Sequence, residues 1–207
     1  VEHLNNWYSK PEIRNIEEIN GTLSDKKINI IYGGALGVAQ DLLGFLQAME
    51  ALDKGNIKII IAGDGETKAE IEKFAKKSQL ELSLLPMLDR KEYLSLVKKS
   101  DMGLVILDKK LNSNNYPAKS FDYMYFSKPI FAYMNSNNEF GKMIESLDFG
   151  YFAKGDMEGS LELEMSKSLD EDSRVLKGNK AKLVLEDRFS AKKASTQILQ
   201  SLKSRKK

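Results

Sequence analysis

The sequence predicts an α/β fold: a doubly wound, mostly parallel sheet with helices on both faces and a helical C-terminal extension. Three observations carry that expectation. Short apolar runs alternate with amphipathic stretches over residues 28–153. The runs are apolar on both faces, as strands covered from both sides must be. From Met157 onward the pattern is helical only.

The elements follow in order. Ile28-Asn29-Ile30-Ile31-Tyr32 reads as a buried strand and residues 39–52 as a helix. Ile57-Lys58-Ile59-Ile60-Ile61 is the next strand, followed by a helix over 68–77, a strand over 81–85 and a helix over 91–98. Gly103-Leu104-Val105-Ile106-Leu107 forms the fourth strand. A helix over 118–126, a strand over 130–133, a helix over 139–146 and a last short strand, Gly150-Tyr151-Phe152-Ala153, complete the alternation. Ser190 is placed to cap a further helix. Residues 1–25 are polar and irregular, with Trp7 and Tyr8 as their large aromatics. They read as a linker or N-terminal extension, and residues 26–207 as the domain. In such folds ligands bind outside the carboxyl ends of the strands, near the switch in strand order. The segments after Tyr32, Ile61, Leu85 and Leu107 are therefore the ones to inspect.

Composition narrows the chemistry. The chain has no cysteine, which excludes disulfides, thiolate metal sites and cysteine nucleophiles within it. Its single histidine is His3, so neither a histidine-based metal site nor a Ser-His-Asp triad can be assembled from this chain. No metal and no cofactor are expected. A net charge of +2, from 32 basic and 30 acidic residues, gives no reason to expect nucleic acid as a partner. No apolar run approaches the roughly 20 residues that span a bilayer. The start, Val1-Glu2-His3-Leu4-Asn5, lacks a secretory pattern, and the missing initiator Met fits a piece of a longer chain. The expected location is the cytoplasm. The basic Ser201-Leu202-Lys203-Ser204-Arg205-Lys206-Lys207 reads first as a solvated helix end and second as a peripheral contact with an anionic membrane surface.

Three segments could carry chemistry. Tyr32-Gly33-Gly34-Ala35-Leu36-Gly37 lies between a strand and a helix, where glycines let backbone N–H groups approach a phosphate. The spacing is not the dinucleotide fingerprint, and a tight turn without ligand needs similar glycines. Ala62-Gly63-Asp64-Gly65-Glu66 is either a turn with an acid at a helix start or a wall of a ligand cleft. The third, Asn114-Asn115-Tyr116-Pro117-Ala118-Lys119-Ser120-Phe121-Asp122-Tyr123-Met124, puts a cation in the first helical turn, against the helix dipole, unless an anion sits beside it. Asp122 shares a helical face with Lys119 and could accept hydrogen bonds from ribose hydroxyls. Spacing alone equally allows an ordinary Lys119–Asp122 surface pair.

Taken together, the segments resemble a known family. Tyr32 to Leu42 resembles the "Y-x-G-N-x-G-x-A-Q-G-L" opening of the C-terminal domain of retaining glycosyltransferases of family four, which have the GT-B fold. Ala62-Gly63-Asp64-Gly65 is similar to that family's "G-D-G", and Ser100-Asp101-Met102-Gly103-Leu104 to its "A-D-x-G-L". Residues 117–129 resemble "P-S-K-x-x-E-Y-M-A-x-G-K-P". The four motifs keep their order and spacing over about residues 28–155.

The resemblance implies a Rossmann-like domain that binds a nucleoside diphosphate sugar, the donor for transfer to a hydroxyl acceptor in glycan, capsule or lipopolysaccharide synthesis. It implies that Gly33, Gly34, Leu36, Gly37, Lys119 and Ser120 face the diphosphate and that Asp122, in place of the usual Glu, holds the ribose. Gly63, Pro86, Met87 and Leu88 would line the base pocket, chiefly through backbone groups. The acceptor, a glycan or lipid-linked hydroxyl, would be held by an N-terminal domain absent from this chain, so no catalytic residue is assigned within it and the chain alone should bind donor without transferring sugar. The sequence departs from the pattern at Ala35 (for Asn), at Asp122 and at Tyr125-Phe126-Ser127 (for "A-x-G"). The Arg and Lys common in the family's first glycine turn are also missing, which places more weight on Lys119. Two alternatives stand beside this reading: one half of a sugar-nucleotide epimerase, and a degenerate module that has lost donor binding.

Overall fold

The computed structural model describes residue 8 and residues 22–52, 55–111, 116–191 and 193–196. Six parallel strands form one sheet in the order β3-β2-β1-β4-β5-β6. They are β1 (Ile28–Ala35), β2 (Ile57–Asp64), β3 (Glu81–Leu85), β4 (Met102–Ile106), β5 (Ile130–Met134) and β6 (Gly150–Lys154). Between them lie α1 (Leu42–Leu52), α2 (Lys68–Ala75), α3 (Arg90–Lys99), α4 (Lys119–Tyr125) and α5 (Glu139–Leu147). Two further helices, α6 (Ser160–Ser168) and α7 (Glu171–Arg188), form the predicted C-terminal extension.

Alternation along each strand divides the core in two. Ile30, Tyr32, Ile59, Ile61, Leu104 and Phe131 point to one face, where Phe45 and Met49 of α1, Ile71 of α2 and Met165 of α6 cover them. Ile31, Ile60, Val105 and Ala132 point to the other, against Val97 of α3, Tyr123 of α4, Phe140 of α5 and Leu185 of α7. Burying each such side chain contributes roughly 1.5–3 kcal/mol, which is why both faces must be apolar. The asparagine in the first apolar run is also accounted for. Asn29 is buried, its amide donates to Ser24 O and Lys27 O, and its backbone N–H donates to Asp101 at 2.7 Å.

The main departure from expectation is at the end of β1. The strand does not stop at Tyr32 but runs through Gly33-Gly34-Ala35, which continue the ladder with Ala62, Gly63 and Asp64. The glycines are strand residues rather than a loop. β1 pairs with β4 only through Ile30↔Met102 and Ile31↔Gly103. Strand order reverses between these two strands, so a cleft opens where a doubly wound sheet places one. Ser127, where the family pattern has glycine, adopts a left-handed conformation with φ 55°. Its carbonyl lies 2.0 Å from where a side chain on Gly178 would begin, so α7 packs tightly on the turn after α4.

Residues 1–7 and 9–21 of the N-terminal extension, Asn114 and Asn115, and the basic tail over 201–207 lie outside the described residues. Tyr8 is described, and it is tied to the far end of the chain. Its N–H donates to Phe189 O at 2.7 Å, and it bridges in parallel to Ser190. Ser190 Oγ accepts from Lys193 N at 3.4 Å, the geometry of the predicted cap.

Candidate functional site

A cavity of about 580 Å³ opens at the carboxyl ends of β1 and β2, beside the splay between β1 and β4. Its walls are Gly33, Gly34 and Ala62 from the strands, and Met87, Leu88 and Asp89 from the segment after β3. Arg90 and Tyr93 come from α3, Ala118, Lys119, Phe121 and Asp122 from the start of α4, and Tyr8 from the N-terminal segment.

Lys119 is the first residue of α4, and the alternative that spacing allowed, a Lys119–Asp122 surface pair, is not formed. Its Nζ lies 3.7 Å from the centroid of the Tyr32 ring, and it has no carboxylate partner among the described residues. Burial pushes its ammonium down to about 8. The ring face works in the opposite direction, because a cation over a π-face is attracted to it. Gly34 makes this placement fit: a side chain there would begin 3.4 Å from Lys119 Nζ, and its φ of 127° suits glycine.

Asp122 is paired instead with Arg90, a residue the sequence reading did not single out. Arg90 Nη1 donates to Oδ2 at 2.6 Å and Nη2 to Oδ1 at 2.5 Å, a bidentate fork. The Asp122 side chain is 5% exposed, whereas that of Arg90 is 56% exposed. A carboxylate so buried needs a cation, and this one comes from the opposite wall. The sequence holds Arg90 in place. Asp89 caps α3 by accepting from Lys91 N and Glu92 N, while Glu92 accepts from Asp89 N at 3.1 Å, which fixes Arg90 at the first helical position. Tyr8 Oη is buried with no hydrogen-bond partner of good geometry. Burial raises its pKa, and the nearby Asp122 carboxylate raises it further.

Tyr93 lies against Gly33, and a side chain on Gly33 would begin 2.1 Å from the Tyr93 ring. Gly33 is therefore an opening for that ring. Tyr93 Oη is likewise buried without a well-formed partner, and burial raises its pKa.

Other predicted residues do not line this cavity. Leu36 is buried, its N–H donates to Asp64 O at 2.9 Å, and its carbonyl accepts from Thr67. Gly37 N–H donates to Gln40 Oε1 at 3.1 Å. Ser120 is fully buried, and its hydroxyl donates to Pro117 O at 2.6 Å. Gly63 packs against β1, where a side chain would begin 2.0 Å from Gly34 O, and Pro86 faces solvent. The cavity thus brings together Gly33, Gly34, Met87, Leu88, Lys119 and Asp122. No cluster of three or more His, Cys, Asp or Glu side chains that could hold a metal occurs among the described residues, and no described helix is long and apolar enough to cross a membrane.

A second cavity, of about 670 Å³, lies between α1 and α6 and carries Lys109, Lys110 and Lys154. Lys154 is already paired with Glu145 at 2.9 Å, and no buried carboxylate lines it. The first cavity combines a half-buried ammonium free of a carboxylate among the described residues with a buried carboxylate held by an exposed cation. Such a site can bind a ligand with an anionic part and a hydroxyl-bearing part between apolar walls.

No protein-family model matches the sequence, and no curated protein matches it. Solved structures do share its fold. TarM superposes with a TM-score of 0.71 at 13% identity, covering 95% of this chain and 38% of TarM. Anabaena HepE, solved in complex with UDP-glucose, gives a TM-score of 0.67 at 12% identity, covering 86% of this chain and 49% of HepE. WaaG, a glycosyltransferase involved in lipopolysaccharide biosynthesis, gives 0.63 at 11% identity, covering 88% and 50%. At these identities the likeness is one of fold. The chain spans about two fifths to one half of the lengths of these proteins.

Proposed function

We propose that this chain is the donor-binding half of a retaining glycosyltransferase and holds a nucleoside diphosphate sugar in the cleft at the ends of β1 and β2. One observation carries the reading: Lys119, half-buried and without a carboxylate partner, shares a cavity with the buried Asp122. In this reading Lys119 meets the diphosphate, Asp122 accepts from the ribose hydroxyls, and the base lies against Met87 and Leu88. No metal is required, because the charge of the leaving diphosphate is met by Lys119 and by fixed dipoles. The acceptor, a hydroxyl of a glycan or lipid-linked chain, is held by the rest of the protein, as the half-length match to HepE and WaaG suggests. The chain works in the cytoplasm on this account, with transient membrane contact through its basic tail.

A second reading has an observation in its favour. Asp122 is already engaged by Arg90, and the amides of Leu36 and Gly37 after β1 are already satisfied, as a degenerate module that no longer binds donor would have them. Calorimetry in the presence of a chelator separates the two. The donor-binding reading expects at least one of UDP, GDP, ADP or CDP to bind more tightly than its nucleoside. A chain that binds none of them is the module.

A further inference from the structure

The geometry points to Arg90 as the residue by which this cleft discriminates ligands: it pairs with Asp122 and transfers to the ligand's diphosphate when a ribose diol takes its place. The inference rests on the donor-binding reading above and goes beyond it.

The observations are these. Both Asp122 oxygens are taken by one guanidinium, so any diol that reaches the carboxylate must displace Arg90. No other cation pairs with Asp122 among the described residues. Apart from its fork to Asp122, Arg90 is anchored by its backbone at the start of α3, and its side chain is more than half exposed, so the guanidinium has room to swing. Tyr8 Oη, buried beside Asp122 without a well-formed partner, is a donor in reserve for the carboxylate once Arg90 leaves. Phe121, Leu88 and Ala62 supply apolar wall, and Asp89, the other carboxylate of the cavity, is engaged as the α3 cap by Lys91 N and Glu92 N.

The consequence is an exchange that needs two ligand groups at once. A vicinal diol presents two O–H donors to the two carboxylate oxygens, as the arginine fork does. A nucleoside without phosphate breaks the ion pair and leaves Arg90 unmatched. Inorganic pyrophosphate attracts Arg90 but strands a buried carboxylate, which is costly. Only a ligand carrying both groups satisfies Asp122 with its diol and Arg90 with its diphosphate, for which a planar bidentate donor is well shaped. Ribose and diphosphate then contribute non-additively through the shared pair.

The test compares wild type, Arg90→Gln and Arg90→Lys against UDP, GDP, ADP and CDP, their nucleosides and pyrophosphate, after circular dichroism establishes that each variant is folded. Glutamine keeps a planar amide to hydrogen-bond Asp122 while removing the charge. Arg90→Gln is expected to weaken the nucleoside diphosphate about ten- to a hundredfold, the loss of one charge-assisted contact. It should leave the matching nucleoside unchanged or bound more tightly, because the cap on Asp122 has gone. Arg90→Lys should fall between the two. Equal weakening of both ligands, or no change in either, overturns the exchange while donor binding stands. If wild type binds no nucleoside diphosphate, the donor-binding reading itself fails. Should Arg90→Gln unfold, the lysine variant carries the test: an unchanged ratio of diphosphate to nucleoside affinity overturns the exchange.

Discussion

Two strand-to-helix junctions face the same end of the sheet, and they are finished in opposite ways. At the end of β1 and the start of α1, the amides of Leu36, Gly37, Gly44 and Phe45 have internal acceptors. Asp41 sits at the start of α1 and accepts from Gly44 N, so an acid occupies the position where an anion would bind. Across the cleft, the junction formed by α3 and α4 leaves its chemistry on side chains. Lys119 lacks a carboxylate partner, Asp122 is held by an arginine that can move, and Tyr8 Oη is unmatched. In the glycine-rich segment, Gly33 and Gly34 line the cavity, whereas Leu36 and Gly37 are engaged in internal hydrogen bonds. On the proposed reading, recognition falls to α3 and α4.

The largest expected effect breaks the packing side. Gly63→Ala would push a methyl to within 2.0 Å of Gly34 O, which is backbone and has little room to give. A loss of about 3 kcal/mol in denaturant-induced unfolding is expected, near the upper end for overpacking. A change below 0.5 kcal/mol would mean that this junction is looser than it looks.

Lys119→Ala sharpens the other side. It should weaken a nucleoside diphosphate about ten- to a hundredfold and the bare nucleoside little, as read by calorimetry. It should not cost stability at pH 7, because it removes an ammonium that burial disfavours.

The same residue gives a pH signature. Lys119 holds its proton to about pH 8 in the folded chain and to its ordinary value of 10.5 when unfolded. Between these values the unfolded chain binds more protons, so stability rises with pH across that window. Diphosphate affinity runs the other way, falling by up to about tenfold per pH unit above 8 as the charge is lost. Melting curves and titrations at several pH values would follow both trends; Lys119→Ala should lose the affinity trend and part of the stability trend, the rest of which belongs to Lys128, whose ammonium burial also pushes down.

The smallest effect belongs to the β1–α1 junction. Gln40→Ala removes the acceptor for Gly37 N–H and should cost about 1 kcal/mol of stability while leaving nucleotide affinity unchanged. A marked loss of affinity would return the glycine segment to the site.

Most of the fold was legible because apolar runs bounded by polar residues leave little choice of element. β3 agrees with its predicted limits, and the other strands differ by a few residues. The end of β1 was misread because two glycines look like a turn. Only the pairing with Ala62 and Gly63 shows them to be strand. Of the residues lining the candidate site, Lys119 and Asp122 were legible through their motif, but the partner of Asp122 was not. Arg90 lies 32 residues earlier in sequence and reaches Asp122 only across the folded cleft. A local signal was present. Asp89-Arg90-Lys91-Glu92 is a capping-box pattern directly after the predicted base-pocket segment, and it starts the helix at Arg90 rather than at Lys91. Tyr8 carried no comparable signal, because its place depends on Phe189 and Ser190 at the other end of the chain.

The central claim, that the α3–α4 side of this cleft binds a nucleoside diphosphate, is tested most directly by amide NMR of the chain titrated with UDP, GDP, ADP and CDP in the presence of a chelator. The account predicts saturable shifts for at least one nucleotide, concentrated at residues 87–93 and 118–122. Absence of shifts for all four, or shifts confined to the cavity between α1 and α6, would contradict it.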